Sequence, residues 1–173
     1  MSKLSYQTEF KLKVLRATAI PAALERAERY RLLNEPTQAE SICLDILGTD
    51  PENQQALAIL VLALTDRFDK FYAVGDSKAQ EIVGRLRNEY ERAYFSGIIC
   101  ERRAKAYLHQ GTAGAGANAY EKLREAMHFF EGAEALRPPG NDDALLRWNT
   151  CARTIMSAHL HPSPADDSVT MLE

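Results

Sequence analysis

Residues 21–64 read P-A-A-L-E-R-A-E-R-Y-R-L-L-N-E-P-T-Q-A-E-S-I-C-L-D-I-L-G-T-D-P-E-N-Q-Q-A-L-A-I-L-V-L-A-L, and this stretch decides the fold. Runs of helix-forming residues alternate with the turn signals N-E-P and T-D-P, which predicts three helices joined by two tight turns. The run 56–64 is apolar on nearly every face of a helix, a pattern typical of a helix buried between neighbours. We therefore expect an all-α protein with the third of these helices at its centre.

Small and aromatic residues recur in this stretch with a spacing that resembles the tetratricopeptide repeat, a helix–turn–helix unit of about 34 residues. Four residues take the family's places for the small residue of the first helix, the aromatic residue, the small residue of the second helix and the closing proline: Ala27, Tyr30, Ala39 and Pro51. Ala23 and Cys43 depart from the pattern, since larger side chains usually stand there. Residues 21–51 therefore resemble one repeat.

A second copy of the pattern lies in residues 104–138. Its members are Ala104, Tyr107, Ala126, Phe130, Ala133 and Pro138. The small residues of its two helices are 22 positions apart, against 12 in the first copy, so we expect ten extra residues in the turn. The Gly- and Ala-rich segment 111–119 is interpreted as that turn, a flexible loop. Between the two copies the resemblance is weaker, because the small residue Ala79 comes six positions late.

The resemblance implies a right-handed α-solenoid of about three helix–turn–helix pairs, with an N-terminal helix and a C-terminal capping helix, in one domain over residues 1–160. The N-terminal helix is predicted from an apolar stripe at Tyr6, Phe10, Val14 and Ala17. A strand through residues 10–15 is the alternative, because lysines alternate there with apolar residues. Residues 161–173 are predicted to be a disordered tail. The other helices are predicted at residues 22–33, 37–47, 51–71, 78–90, 92–110, 120–136 and 142–156.

The composition predicts a soluble cytoplasmic protein without nucleic-acid or membrane partners. The formal net charge is −3 and 26% of the residues are charged, so nothing indicates the basic face that nucleic acid requires. The longest apolar run, residues 56–64, is far shorter than the roughly 20 residues that span a bilayer. The beginning of the chain lacks the apolar core of a signal peptide.

The three cysteines and the single tryptophan are predicted to be packing residues. Cys43, Cys100 and Cys151 are odd in number and lack the spacing of a metal site. On the repeat frame each faces a neighbouring helix, so we interpret them as small buried hydrophobic residues. Trp148 takes the small-residue place of the last helix, where an end unit has room for a bulky side chain.

No catalytic residue, cofactor or metal is expected. The segment G-A-G-A-N-A at residues 114–119 matches the letters of a dinucleotide-binding fingerprint, but that fingerprint needs a preceding strand and a helix is predicted there. His159 and His161, two residues apart, point to different sides of a helix. His109 and His128 lie in different predicted helices, and the sequence shows no Ser/His/Asp or Cys/His arrangement.

The family resemblance implies a concave face, lined by the first helix of each pair, that binds segments of other proteins. One variety grips a C-terminal carboxylate with Lys and Asn side chains. Here only Arg102 suits that task, so we reject the carboxylate clamp. The predicted groove has an apolar middle with charges at its ends, and its residues are Leu24, Glu28, Ile59, Leu62, Ile98, Arg102 and Lys105.

We therefore predict a protein–protein interaction module whose partner is an apolar or amphipathic segment of another protein. Two alternatives stay open: the N-terminal helix or the tail fills the groove, or two copies cover it in a homo-oligomer. A nucleotide or small-ligand binder that uses the Gly-rich segment is a weaker alternative.

Overall fold

The computed structural model describes residues 10–69 and 75–163, and all regular secondary structure in these residues is helical. A short 3-10 turn, Ala17–Ala19, comes first. The α-helices that follow are α1 (Ile20–Leu32), α2 (Pro36–Thr49), α3 (Gln54–Thr65), α4 (Asp76–Gly84), α5 (Glu89–Gln110), α6 (Ala115–Leu136) and α7 (Asp143–Ser157). The all-α prediction is confirmed. None of the described helices is long and apolar enough to cross a membrane.

Local sequence signals set several of the helix starts. Pro21 and Pro36 occupy the first turns of α1 and α2, where the N–H that proline lacks would have no partner within the helix. The side-chain oxygen of Asn53 accepts a hydrogen bond from the Ala56 N–H at 2.9 Å and so caps α3. Asn88 caps α5 in the same manner.

The helices contact one another in chain order, from α1 against α2 through to α6 against α7. Helix α3 also contacts α1 and α5, the helices two places before and after it in the chain. The central position predicted for α3 is confirmed, because eight of its twelve residues are buried. One hydrophobic core extends from Leu24 in α1 to Leu160 after α7.

The small residues of the repeat frame lie where the helices meet. All of them are fully buried: Ala27, Ala39, Ala79, Ala104, Ala126 and Ala133. Helices α5 and α6 approach each other closely at Gly97, where an added methyl group would lie 2.5 Å from the ring of Phe130. By contrast Tyr30, at the aromatic place of the first unit, is 36% exposed at the end of the helix series.

The loop predicted at residues 111–119 is wrong in its second half. Helices α5 and α6 have 22 residues each, and only residues 111–114 connect them. Gly111 and Gly114 adopt left-handed conformations, with φ of 60° and 79°, and make the turn. Ala115 and Ala119 are buried in the first turns of α6. Alanine favours helix strongly, so the extra residues lengthen the two helices instead of the loop.

The predicted N-terminal helix is wrong for residues 10–16, which form no regular secondary structure. Of its stripe, Ala17 begins the short 3-10 turn, and Tyr6 lies outside the described residues. Phe10 and Val14 are 81% and 84% exposed. The segment is fastened near its end, where the Thr49 hydroxyl donates a hydrogen bond to the Leu15 carbonyl at 2.8 Å. A short helix needs packing to be stable, and here the apolar stripe has no described element to pack against.

Two further boundaries differ from the predictions. Helix α3 ends at Thr65, short of the predicted residue 71, and α4 ends at Gly84, so residues 85–88 separate it from α5. The predicted last helix is confirmed as α7. The Trp148 indole N–H donates a hydrogen bond to a carboxylate oxygen of Glu131 at 2.9 Å, which fastens α7 to α6. Of the predicted tail, residues 161–163 are irregular and the remainder lies outside the described residues.

Candidate functional site

The apolar residues predicted to line a groove lie in or against the core. Leu24, Ile59 and Ile98 are 8%, 4% and 1% exposed, and Leu62 is half-buried against the same core. In this structure the first three present almost no surface to a partner. Their role in binding stays a prediction, and the polar members of the predicted set carry the accessible part of this face.

Arg102, on α5, contacts the C-terminal end of α3 through its guanidinium group. It lies 2.8 Å from a carboxylate oxygen of Asp66, which follows α3, and it donates a hydrogen bond to the Leu62 carbonyl at 2.9 Å. Asp66 also lies 3.5 Å from Arg31 at the end of α1. Burial lowers the pKa of Arg102 from its ordinary value, while Asp66 opposes the shift. One carboxylate therefore holds two arginines from different helices.

Glu101, the neighbour of Arg102 in sequence, is a fully buried carboxylate with a cation on each oxygen. Lys105 Nζ lies 2.5 Å from one oxygen, and Arg147 Nη1 of α7 donates a hydrogen bond to the other at 3.1 Å. Although burial lowers the pKa of Arg147, Glu101 and Tyr94 raise it above its ordinary value. A buried charge is tolerated when it is paired in this way, so Glu101 fixes α7 against α5.

These charges form two ion-pair groups, each with a member on α5, where Glu101 and Arg102 are neighbours in sequence; we call the two groups together the ion-pair row. Its members are Arg31, Asp66, Arg102, Glu101, Lys105 and Arg147. The row crosses α1, the end of α3, α5 and α7. The sequence identified Arg102 and Lys105 through the repeat frame but missed the other four. A glutamate directly after the apolar run I-I-C was the available signal for Glu101.

Beside the ion-pair row lies a polar hollow of about 160 Å³ between α5 and the residues after α3. Its lining consists of Thr65, Asp66, Phe68, Asp69, Arg102, Lys105, Ala106 and His109. His109 Nδ1 lies 3.5 Å from Asp69 at its exposed rim. Pockets for small-molecule ligands usually measure about 300–1,000 Å³. The hollow is therefore of a size to receive one side chain.

The cysteines are buried as predicted. Cys43, Cys100 and Cys151 are 0%, 2% and 0% exposed. Burial raises the pKa of each thiol from 9.0 to about 12. A thiol that resists ionisation is a poor nucleophile and a poor metal ligand, so these side chains serve packing.

The other motifs do not come together as sites. Helix α5, not a strand, precedes the segment at residues 114–119, whose alanines begin α6. His109 is on α5, His128 on α6, and His159 follows α7. Within residues 10–69 and 75–163, no group of three or more His, Cys, Asp or Glu side chains could hold a metal ion.

Comparison of the chain with family models, curated proteins and solved structures finds no match. The resemblance to tetratricopeptide repeats therefore depends on the residues quoted for it and on the order in which the helices contact one another.

Proposed function

We propose that the chain is a tetratricopeptide-like α-solenoid of three helix pairs, closed by α7, and that it serves as a protein–protein interaction scaffold or adaptor in the cytoplasm. The pairs are α1 with α2, α3 with α4, and α5 with α6. The observation that supports this function best is the ion-pair row, because one of its groups joins α1, the end of α3 and α5, and the other joins α5 to α7. In a right-handed solenoid those helices would line the concave face.

The partner would be an amphipathic segment of another protein. Leu62 supplies a half-buried apolar contact, and the polar hollow beside Arg102 would receive one side chain. Charges of both signs lie on the same helices, with the exposed Glu28 on α1 and the half-buried Lys105 on α5. Recognition would therefore combine charge pairing along the face with burial of a few apolar side chains.

The ion-pair row would serve this function by holding the face rigid. Both of its carboxylates, Asp66 and Glu101, already pair with two cations each. A face whose groups are fixed before binding loses less conformational entropy when the partner arrives. On this proposal the chain makes and breaks no bonds and needs no cofactor.

A capture experiment tests the proposal. The tagged chain is used as bait in an extract of its own cells, beside the exposed double variant Glu28→Arg/His109→Glu and a control, Glu121→Arg/Arg124→Glu, which changes exposed charges on α6. We expect a specific protein to be enriched by the wild type and the control, and reduced at least tenfold with the first variant. Equal capture by all three, or no capture, contradicts the proposed face.

Light scattering on the purified chain tests the alternative of a homo-oligomer. A monomer is expected from the proposed function. A dimer that the Glu28→Arg/His109→Glu variant dissociates would instead assign this face to self-assembly.

The nucleotide-binding alternative is better tested by titrating nucleotides than by deleting residues 112–118, because the deletion removes the buried Ala115 and the start of α6.

A further inference from the structure

The outer side of α1 carries two hollows that no described element covers. The first, of about 310 Å³, is lined by Leu15, Ala19, Ala22, Ala23, Arg26, Ile42 and Asp45. The second, of about 250 Å³, is lined by Arg26, Arg29, Tyr30 and Leu33. Arg26 lines both, so the hollows lie end to end along the helix. This surface, which we call the α1 face, is distinct from the ion-pair row.

The lining residues that belong to α1, or that directly precede or follow it, have helical spacing. They fall at positions 19, 22, 23, 26, 29, 30 and 33, a continuous i, i+3, i+4, i+7 stripe over the whole helix. Leu24 and Ala27, on another side of α1, are buried in the core. Three alanines at the start of the stripe would let a second helix approach closely. The α1 face therefore has the shape and periodicity of a helix-docking surface.

The charge of this region is opposite in sign to that of the whole chain. The two hollows are lined by two arginines, Arg26 and Arg29, against one carboxylate, Asp45, a net charge of +1, while the chain has a formal net charge of −3. Neither Arg26 nor Arg29 forms an ion pair with a residue of the described ranges. The adjoining segment adds the exposed Lys11, Lys13 and Arg16. The electrostatic complement of the α1 face is an acidic surface.

We propose that the α1 face docks an acidic amphipathic helix of another protein. The centres of the hollows, near Ala22 and Tyr30, are separated by about 12 Å along a helix that rises about 1.5 Å per residue. A partner helix would fill them with large apolar side chains at i and i+7, about 10.5 Å apart. A carboxylate at i+3 or i+4 would then face Arg26, and one beyond i+7 would face Arg29.

The same observations disfavour two other occupants. A symmetric dimer through this face would bring two basic regions together, and like charges in an interface are costly. An anionic membrane would match the charge. It is flat, however, and would leave both hollows unfilled.

The test uses a designed peptide as the probe. It is an 18-residue helical peptide, labelled with fluorescein, with leucines seven residues apart and glutamates between them; a second version has lysine for every glutamate. The proteins are the full chain, the variant Arg26→Glu/Arg29→Glu, and the control Arg124→Glu/Arg153→Glu, which has the same net charge and changes exposed arginines of α6 and α7. Anisotropy measures binding, and circular dichroism checks folding.

We expect the acidic peptide to bind the wild type and the control at least tenfold more tightly than the Arg26→Glu/Arg29→Glu variant, and the lysine peptide not to bind. A variant that fills the first hollow, Ala22→Trp, should weaken binding by a similar factor with the charges unchanged. Equal binding to all proteins overturns the proposal. So does binding of the wild type to anionic vesicles but not to the peptide, or self-association that Arg26→Glu/Arg29→Glu abolishes.

Discussion

Replacing Gly97 with alanine should destabilise the chain, although alanine is the better helix former. Gly97 lies inside α5, opposite the fully buried ring of Phe130 on α6. A methyl group there would lie 2.5, 2.7 and 2.8 Å from three atoms of that ring. Carbon atoms in contact normally lie about 3.5–4.0 Å apart, so the ring or the helix must move.

The size of the effect follows from comparison with Gly132→Ala on α6. Gly132 is exposed in a helix interior, and an added methyl group would have no neighbour within 4 Å. That change should stabilise the chain by about 0.5–1 kcal/mol, the usual difference between glycine and alanine in a helix. Gly97→Ala has the same helical gain but adds overpacking, which costs about 1–3 kcal/mol. The free energies of unfolding of the two variants should therefore differ by about 1–3 kcal/mol.

Urea denaturation followed by circular dichroism measures this difference, which corresponds to about 2–4 °C in Tm for each kcal/mol. The double variant Gly97→Ala/Phe130→Leu should lose less stability than the two single changes added together, because the smaller side chain makes room for the methyl group. If Gly97→Ala stabilises the chain as much as Gly132→Ala does, the close approach of α5 and α6 is wrong.

Three further predictions concern the buried charge, the buried thiols and a helix cap. Glu101→Ala should lower the free energy of unfolding by about 2–3 kcal/mol. This is less than the loss of about 3–5 kcal/mol that is usual when a fully buried ion pair is broken, because Lys105 and Arg147, the cations left behind, are partly solvated. The control Glu125→Ala, which removes an exposed carboxylate, should lower it by less than about 1 kcal/mol, and equal losses would contradict the role of Glu101. Above pH 9.0 the thiols of the unfolded chain ionise, whereas the buried thiols of the folded chain stay protonated to about pH 12. The free energy of unfolding should therefore fall by up to about 1.4 kcal/mol per pH unit for each cysteine. Urea denaturation between pH 9 and 10.5 should show a shallower fall when all three are alanine, and equal slopes would contradict burial as the cause. Asn53→Ala should cost about 0.5–2 kcal/mol and speed amide exchange at Ala56, whereas unchanged exchange would exclude the cap.

The sequence predicted those parts of the fold that depend on neighbouring residues, such as helix starts and the apolar pattern of a buried helix. Helices α1, α2 and α7 lie within a few residues of their predicted bounds, because prolines and acidic first turns mark their starts. The central position of α3 followed from a run that is apolar on every face. The small alanines were predicted from the spacing of a repeat, and the structure buries them at helix contacts.

Features that depend on distant residues were predicted less well. Whether Ile59 lines a groove or fills the core depends on the rotation of α3 about its axis, which local sequence does not determine. Glutamate is seldom fully buried, so the burial of Glu101 is visible only once Arg147, 46 residues away, is placed beside it. The apolar stripe from Tyr6 to Ala17 predicted a helix that residues 10–16 do not form, because a stripe becomes a stable helix only where a partner element covers it.

The proposed function assigns the binding of another protein to the surface that α1, α3, α5 and α7 would form together. Its most direct test is calorimetric titration of the purified chain with the protein captured from its own cells, with the Glu28→Arg/His109→Glu variant and the Glu121→Arg/Arg124→Glu control in parallel. We expect one binding site on the wild type and the control, and at least a tenfold higher Kd for the Glu28→Arg/His109→Glu variant. The same Kd for all three proteins would contradict this assignment.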